Sequence, residues 1–199
     1  MARRAPRRAH ARRARGPHRR PVGPAPRRRR RRPRLTRPAP DRTPFIEVNA
    51  RLADAFHAAG LPVVWVHATG LPAGRVGHPI PEPEELPADF ADVDERLPEQ
   101  PEDLHVHKDR TISAFIRSDL AARLRERGVT QVVVTGIATG MGVESTARNA
   151  YDEGFHVLTV PEALLDGSAE RQEAALVHDF PSFGLVTTAD ELLAALASR

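Results

Sequence analysis

The chain has 199 residues, and its charges are divided unevenly between a short N-terminal segment and the remainder. Residues 1–42 contain 18 of the 30 basic residues, all arginine, and one of the 26 acidic residues, Asp41, which leaves 12 basic and 25 acidic residues and a formal charge of −13 in residues 43–199. The absence of cysteine excludes a disulfide scaffold, a cysteine-ligated metal and a cysteine nucleophile, and no apolar run approaches the roughly 18 residues of a membrane span.

Residues 1–42 consist almost entirely of Arg, Pro, Ala, Gly and His, with Val22 and Leu35 as the larger aliphatic side chains. Because such a segment cannot form a core that offsets the entropy of ordering, we predict a disordered tail. Three interpretations stay open: the six-arginine run at 27–32 binds nucleic acid, the tail is a solvated charge block, or a GC-rich gene has been read in a wrong frame or from a wrong start. The lack of aromatic residues argues against nucleic-acid binding, because the segment has no side chains on which bases can stack. With no apolar stretch before Phe45, a secretory signal is not expected and the predicted location is the cytoplasm.

Residues 43–199 are predicted to form one domain in which helices and strands alternate. Apolar residues at three- and four-residue spacings predict a helix over 45–59 that stops at Gly60, and the apolar run 61–67 predicts a buried strand. The proline- and acid-rich stretch 68–104 is expected to be a long surface excursion, and possible roles are a lid or an oligomer arm.

The second half of the chain continues this alternation in a regular way. Ser118 and Thr188 are the expected N-caps of two of its helices. The predicted elements are helix 119–127 with Leu120 and Leu124 facing inward, strand 129–135, helix 143–153, strand 155–160, helix 168–178, strand 184–186 and a last helix to 197. Strands separated by helices imply right-handed βαβ units, so the predicted fold class is α/β, three-layer, with a mostly parallel sheet flanked by helices.

Two segments at expected strand ends could carry chemistry, and the first is His105–Arg110. Lys108 is the only lysine of the chain, and a partly buried lysine can act as an acid or base where arginine cannot. The alternative is a surface remnant of codon bias. His105 and His107 have the spacing of ligands on one strand face, but no third ligand is evident, so we predict ordinary partly buried histidines and no metal.

The second segment is the glycine-rich turn from Gly136 to Gly142, which joins a strand to a helix. Backbone N–H groups at such a turn can bind an anion or a developing oxyanion, although glycines are also common in structural turns. The spacing is neither a dinucleotide nor a P-loop fingerprint. Glu144 and Arg148 are four residues apart and are predicted to pair on the helix face.

These segments resemble the signature of the isochorismatase-like hydrolase superfamily. The resemblance is carried by VVVTGIATGMGVESTARNAYDEGFHV, by HKDRTISAFIRSDLAARLRERGV and by NARLADAFHAAGLPVVWVH. It covers roughly residues 45–199. It implies a parallel sheet flanked by helices and a hydrolase that acts on a small molecule, needs no cofactor and often forms homo-oligomers.

The resemblance also implies roles for particular residues. Family members use an Asp, a Lys and usually a Cys; the Lys corresponds to Lys108 and the Cys to Gly142. Members with cysteine attack amides through a thioester, whereas true isochorismatases have glycine there and cleave a vinyl ether by acid catalysis. The cis peptide of the family would fall at Ile137–Ala138, and the substrate-binding or oxyanion-hole groups would come from Ile137, Ala138, Thr139 and Gly142.

The chain departs from the family at its beginning. Members carry their Asp at the end of an apolar first strand, whereas this region is rich in arginine and proline here, and Asp41 is too close to the first helix to match. Removing a central strand would expose apolar faces and unpaired backbone groups on its neighbours. We therefore expect a hydrolase without a cysteine nucleophile, impaired by the loss of this Asp, with a catalytically inactive binding or assembly protein of the same fold as the alternative.

Overall fold

The computed structural model describes residues 41–70 and 88–198, which fall within one compact unit, Pro40–Arg199. The expected disorder of residues 1–40 and the middle of the predicted excursion, residues 71–87, lie outside the described residues. Within the described ranges, no helix is long and apolar enough to cross a bilayer.

Helices and strands alternate along the described chain. The helices are α1 (Thr43–Ala58), α2 (Leu120–Glu126), α3 (Glu144–Asp152), α4 (Ala169–Ala174) and α5 (Ala189–Ala197). The strands are β1 (Val64–Ala68), β2 (Leu104–Lys108), β3 (Gln131–Val133), β4 (Gly136–Ile137), β5 (His156–Thr159), β6 (Leu164–Leu165) and β7 (Leu185–Val186). Short π-helical turns occupy Thr139–Val143 and Ala175–Asp179.

All the strand pairs are parallel, which confirms the α/β fold class. β1 pairs with β2 in the register Val64↔Leu104 to Ala68↔Lys108. The strand order of the three-stranded sheet is β3-β5-β7, and β4 pairs separately with β6. The sheet of β1 and β2 is therefore separate from that of β3, β5 and β7 among the described residues.

Two apolar cores cover different sides of these strands. The larger contains β2, α2 and α3 residues, including Val106, Leu124 and Ala147, and Val132 and Val134 pack against it. The smaller joins α1 to α5, and Val133 packs there. Because consecutive residues of β3 serve different cores, this strand is covered by apolar groups on both faces, as a strand of a three-layer α/β protein should be.

The predicted helices and strands are present, with differences at their ends. Thr188 caps α5 in a capping box with Glu191, as predicted. The cap position of α2 is Asp119 and not Ser118, although the Ser118 hydroxyl accepts from the Leu120 N–H at 3.4 Å while it donates to the Ala114 carbonyl at 2.6 Å. The strand predicted over 129–135 pairs as a ladder only over 131–133.

Candidate active site

Lys108 ends β2 at the carboxyl edge of its sheet, where its side chain is half-buried. Its Nζ donates a hydrogen bond to the Ile112 carbonyl at 2.7 Å. Burial lowers the pKa of the Lys108 ammonium below its ordinary value of 10.5. The only lysine of the chain is thus at a strand end, partly withdrawn from water, where it can exchange a proton more readily than a surface lysine.

Gly142 lies directly beside this ammonium group. A Cβ atom on Gly142 would be 3.4 Å from Lys108 Nζ and 3.9 Å from the carbonyl oxygens of Ile112 and Ile137. The structure therefore brings together the two positions that the resemblance connects with catalysis. The glycine leaves open the space next to Nζ that a side chain would occupy.

Thr146, on α3, connects these two positions. Its hydroxyl donates to the Gly142 carbonyl at 2.7 Å and accepts from the Ala114 N–H at 3.1 Å. Lys108 Nζ is hydrogen-bonded to the carbonyl of Ile112, which lies two residues before Ala114. The segment 112–114 therefore links the lysine to the glycine-rich turn. The Thr in the Val-Glu-Ser-Thr-Ala-Arg motif thus fixes the distance between Lys108 and Gly142. Sequence reasoning did not identify this role, because only the fold brings Ala114 to α3.

The glycine-rich turn has an unusual backbone path. Gly136 has a φ of +122°, a conformation that side-chain-bearing residues rarely adopt, and the Ile137–Ala138 peptide bond is cis, at the position that the resemblance implies. A π-helical turn over Thr139–Val143 then leads into α3. This path carries the backbone of Ile137, Ala138 and Gly142 along the wall of the cleft that Lys108 also lines.

Asp166, which lies outside the glycine-rich turn, holds that turn in place. Its carboxylate accepts from the Gly140 N–H at 2.9 Å and the Ser168 N–H at 3.0 Å, and it pairs with Arg171 Nε at 3.1 Å. The Asp166 side chain is fully buried. Sequence reasoning missed this residue, and the one available signal was an acidic residue just after an apolar run and just before Ser168, the N-cap of α4.

The predicted substrate-binding residues differ in their exposure. The side chains of Ile137 and Met141 are about half exposed, at 51% and 52%. Thr139, in contrast, is fully buried, and its Oγ1 has no hydrogen-bond partner among the described residues. The Thr139 side chain is therefore withdrawn from the cleft, and the whole residue is closed to solvent.

The Glu144–Arg148 pair is present, with Oε1 and Nε 2.8 Å apart. Arg148 also pairs with Asp179 at 2.7 Å and lies over the ring of Phe183. The pair therefore anchors α3 to the segment after α4, which is a structural role.

His105 is partly buried as predicted, but His107 is exposed. Both stack on His67 of β1, and His67 Nε2 is 2.9 Å from His105 Nδ1. Across residues 41–70 and 88–198, no group of three or more His, Asp or Glu residues is arranged to hold a metal ion.

No carboxylate in the described ranges forms an ion pair with Lys108, and burial is the one cause of its lowered pKa. Asp109, its neighbour in sequence, is exposed and pairs with Arg110 at 3.7 Å. Asp41 is exposed, and its carboxylate accepts from the Thr43 N–H at 2.9 Å at the start of α1. The site thus holds a cation beside an open space, without a counter-charge from the described residues.

Comparison with known proteins agrees with this geometry. A family model described as "Isochorismatase domain" matches residues 33–191. The chain is 34% identical to the uncharacterized isochorismatase family protein YecD of Escherichia coli O157:H7, over 73% of this chain and 80% of that protein. It is 35% identical to the ureidoacrylate amidohydrolase RutB of Methylorubrum extorquens, over 78% of this chain and 71% of that protein.

A solved structure leads to the same conclusion. An isochorismatase family protein from Burkholderia thailandensis aligns with a TM-score of 0.71 and 39% identity, covering 78% of this chain and 84% of that one. The parallel α/β fold, the turn beside Lys108 and the match over most of the chain agree, and the chain belongs to the isochorismatase family of hydrolases.

Proposed function

We propose that the protein hydrolyses a small molecule without a covalent enzyme intermediate, with Lys108 as the cation that positions or protonates the substrate. The observation that carries the proposal is the 3.4 Å separation between Lys108 Nζ and the Cβ position of Gly142. At this distance a substrate atom in the open space next to Gly142 contacts the ammonium group directly. Because Gly142 offers neither a thiol nor a hydroxyl, water rather than a side chain must be the nucleophile.

The backbone of the glycine-rich turn supplies the second half of the proposed chemistry. We assign the N–H groups of Ala138 and Gly142 as backbone donors to an acceptor oxygen of the substrate. The exposed side chains of Ile137 and Met141 provide an apolar wall for the remainder of the substrate. An ammonium group has three N–H donors, and Ile112 accepts one of them, so Lys108 retains donors for a substrate.

The substrate class follows from this set of groups. One of the relatives is a ureidoacrylate amidohydrolase. The family resemblance implies two kinds of chemistry: amide hydrolysis by members with a cysteine, and acid-catalysed cleavage of a vinyl ether by members with a glycine in its place. Gly142 favours the second chemistry. The proposed reaction is the protonation of the vinyl carbon of a small vinyl ether by Lys108, followed by attack of water on the resulting oxocarbenium carbon. The water loses a proton to solvent, and the C–O bond of the hemiketal then breaks to give an alcohol and a carbonyl compound, with one water consumed.

The test is hydrolysis of isochorismate and of a panel of small amides by the purified full-length chain. We expect Lys108→Ala to lower kcat/KM by about 10²–10⁴-fold, the usual contribution of a general acid. Because the protonated amine is the active form, kcat/KM should fall as the pH rises through the pKa of Lys108, below 10.5. Lys108→Arg keeps the charge but cannot release a proton near this pH, and should remain impaired. Equal turnover by the wild type and Lys108→Ala would refute the proposal.

A second candidate function is ligand binding without turnover. It is favoured by the lack of a carboxylate partner for Lys108 among residues 41–70 and 88–198, since such a carboxylate would orient the ammonium group and stabilise its protonated form. This candidate predicts saturable binding of isochorismate or an analogue, weakened by Lys108→Ala, with no hydrolysis above the level of that variant.

A further inference from the structure

A second cationic side chain, Arg171 of α4, lies against the glycine-rich turn. Its stem packs on Gly140: a Cβ atom on Gly140 would collide with Cγ of Arg171 and would be 2.7 Å from its Cδ. Because Gly140 has no side chain, α4 brings a long charged side chain directly onto the backbone of the turn. Two glycines of the turn therefore each lie beside a cation, Gly140 beside Arg171 and Gly142 beside Lys108.

Arg171 is held in this place by a buried carboxylate. Asp166 is fully buried, and its Oδ1 pairs with Arg171 Nε at 3.1 Å. The same carboxylate accepts from the N–H groups of Gly140 and Ser168, so its charge is shared among three donors. A guanidinium group has five N–H donors, and four of them belong to the terminal nitrogens Nη1 and Nη2. The ion pair with Asp166 therefore orients the guanidinium group through Nε and leaves its terminal donors for a ligand.

The guanidinium group of Arg171 is accessible to a ligand in the cleft. The Arg171 side chain is 49% exposed, and it lines the cleft together with Lys108, Met141 and Gly142. An unrestrained surface arginine loses side-chain entropy when it binds a ligand, whereas the buried partner of Arg171 has already restricted this side chain. A planar guanidinium fork that is oriented in advance fits a carboxylate or another flat oxyanion.

The wall of the cleft on this side is positively charged. Among the described residues that follow Leu104 in the chain, those that line the cleft include Lys108, Arg127 and Arg171 but no Asp or Glu. The acidic lining residues all come from the part of the chain that ends at Asp103. An anion beside Arg171 is therefore attracted by the charged lining residues of this later part of the chain.

The two cations are close enough to contact one small molecule. Gly140 and Gly142 are two residues apart, so their Cα atoms are separated by at most about 7 Å. We propose that Arg171 is a specificity-determining residue, which binds an anionic, carboxylate-like group of the substrate while Lys108 contacts the reacting part. This inference rests on the proposed function for the position of the reacting part, and it adds the residue that recognises a second group.

The test compares an anionic and a neutral probe of the same shape. Benzoate and benzamide differ in charge at neutral pH, and each is titrated into the isotope-labelled full-length protein while the amide signals of Gly140, Met141 and Gly142 are followed by NMR. We expect saturable shifts of these signals, with a Kd for benzoate at least about tenfold lower than that for benzamide, because hydrogen bonds between charged groups are stronger.

Three variants assign this preference to Arg171. Arg171→Gln should lower the ratio of the two Kd values at least about threefold, because the terminal N–H donors and the charge are lost. Gly140→Ala keeps every charge but displaces the Arg171 stem, so it should lower the ratio by a similar factor and stays informative if Arg171→Gln does not fold. Arg127→Gln removes the same charge from another exposed lining residue and should leave the ratio unchanged.

A purely structural role of Arg171 would weaken both probes by the same factor and leave their ratio unchanged. That result in the folded Arg171 and Gly140 variants would overturn the proposal. So would the absence of saturable benzoate binding, a wild-type ratio below tenfold, or an equal loss of the ratio in Arg127→Gln. Turnover is not measured, so an inactive protein leaves this proposal standing, and loss of the benzoate preference leaves the proposed hydrolysis standing.

Discussion

At the scale of single residues, the most informative feature is the empty space between Gly142 and Lys108. A Cβ on Gly142 would lie at ordinary contact distances from all its neighbours, and Gly142 does not have the positive φ that strains other residues. A small side chain should therefore be accommodated. Gly142→Cys would place a thiol beside a half-buried cation in a chain without any other cysteine.

We predict that the thiol of the Gly142→Cys variant has a pKa at least about one unit below the 8.5 of a free cysteine, because the Lys108 ammonium stabilises the thiolate. The measurement is the rate of alkylation by iodoacetamide as a function of pH. Adding Lys108→Gln should return the pKa to 8.5 or above. Glu173→Cys, on an exposed position of α4, serves as the reference. A pKa that is equal in the single and double variants would show that Lys108 does not act on this position.

Lys108 could be identified from sequence because it is the only lysine and lies in a recognisable block. Thr146 and Asp166 could not be identified, although they hold the site in place. Their partners, Ala114 and Gly140, are 32 and 26 residues away. Such contacts depend on how distant elements meet, which local spacing does not encode.

At the scale of elements, the turn between β4 and α3 depends on a contact from outside it. Asp166 follows β6, the strand that pairs with β4, and accepts the Gly140 N–H at 2.9 Å. The strands β4 and β6 have two residues each, too few for a recognisable apolar pattern. This explains why sequence analysis predicted the turn but neither strand, whereas the longer α1 and α5 were predicted with nearly correct ends.

We predict that Asp166→Ala lowers the free energy of unfolding by about 2–4 kcal/mol, because it leaves the Gly140 and Ser168 N–H groups without their acceptor in a buried location. Urea denaturation measures this change. Glu173→Ala, an exposed substitution on the neighbouring helix, should change stability by less than about 0.5 kcal/mol. A similar small change for Asp166→Ala would mean that Gly140 is held by other contacts.

At the scale of the whole molecule, the strands found among residues 41–70 and 88–198 form sheets of unequal size. The three-stranded sheet has β5 at its centre, with Val157 and Thr159 3% and 1% exposed. β1 and β2 form a sheet of two strands, and Val66 on β1 is 43% exposed. A parallel α/β fold could be predicted from the sequence because each strand and helix is marked by an apolar pattern within one short stretch of residues. The division into separate sheets among the described residues depends on pairing between distant segments, which local sequence patterns do not encode.

This division predicts unequal local stability. Amide hydrogens of β1 should exchange at least ten times faster than those of β5 in the native full-length protein, because within the described ranges β1 pairs with one strand and β5 with two. Mass spectrometry of fragments that cover residues 64–68 and 156–159 measures the difference. Equal protection would mean that the free edge of β1 is covered in solution.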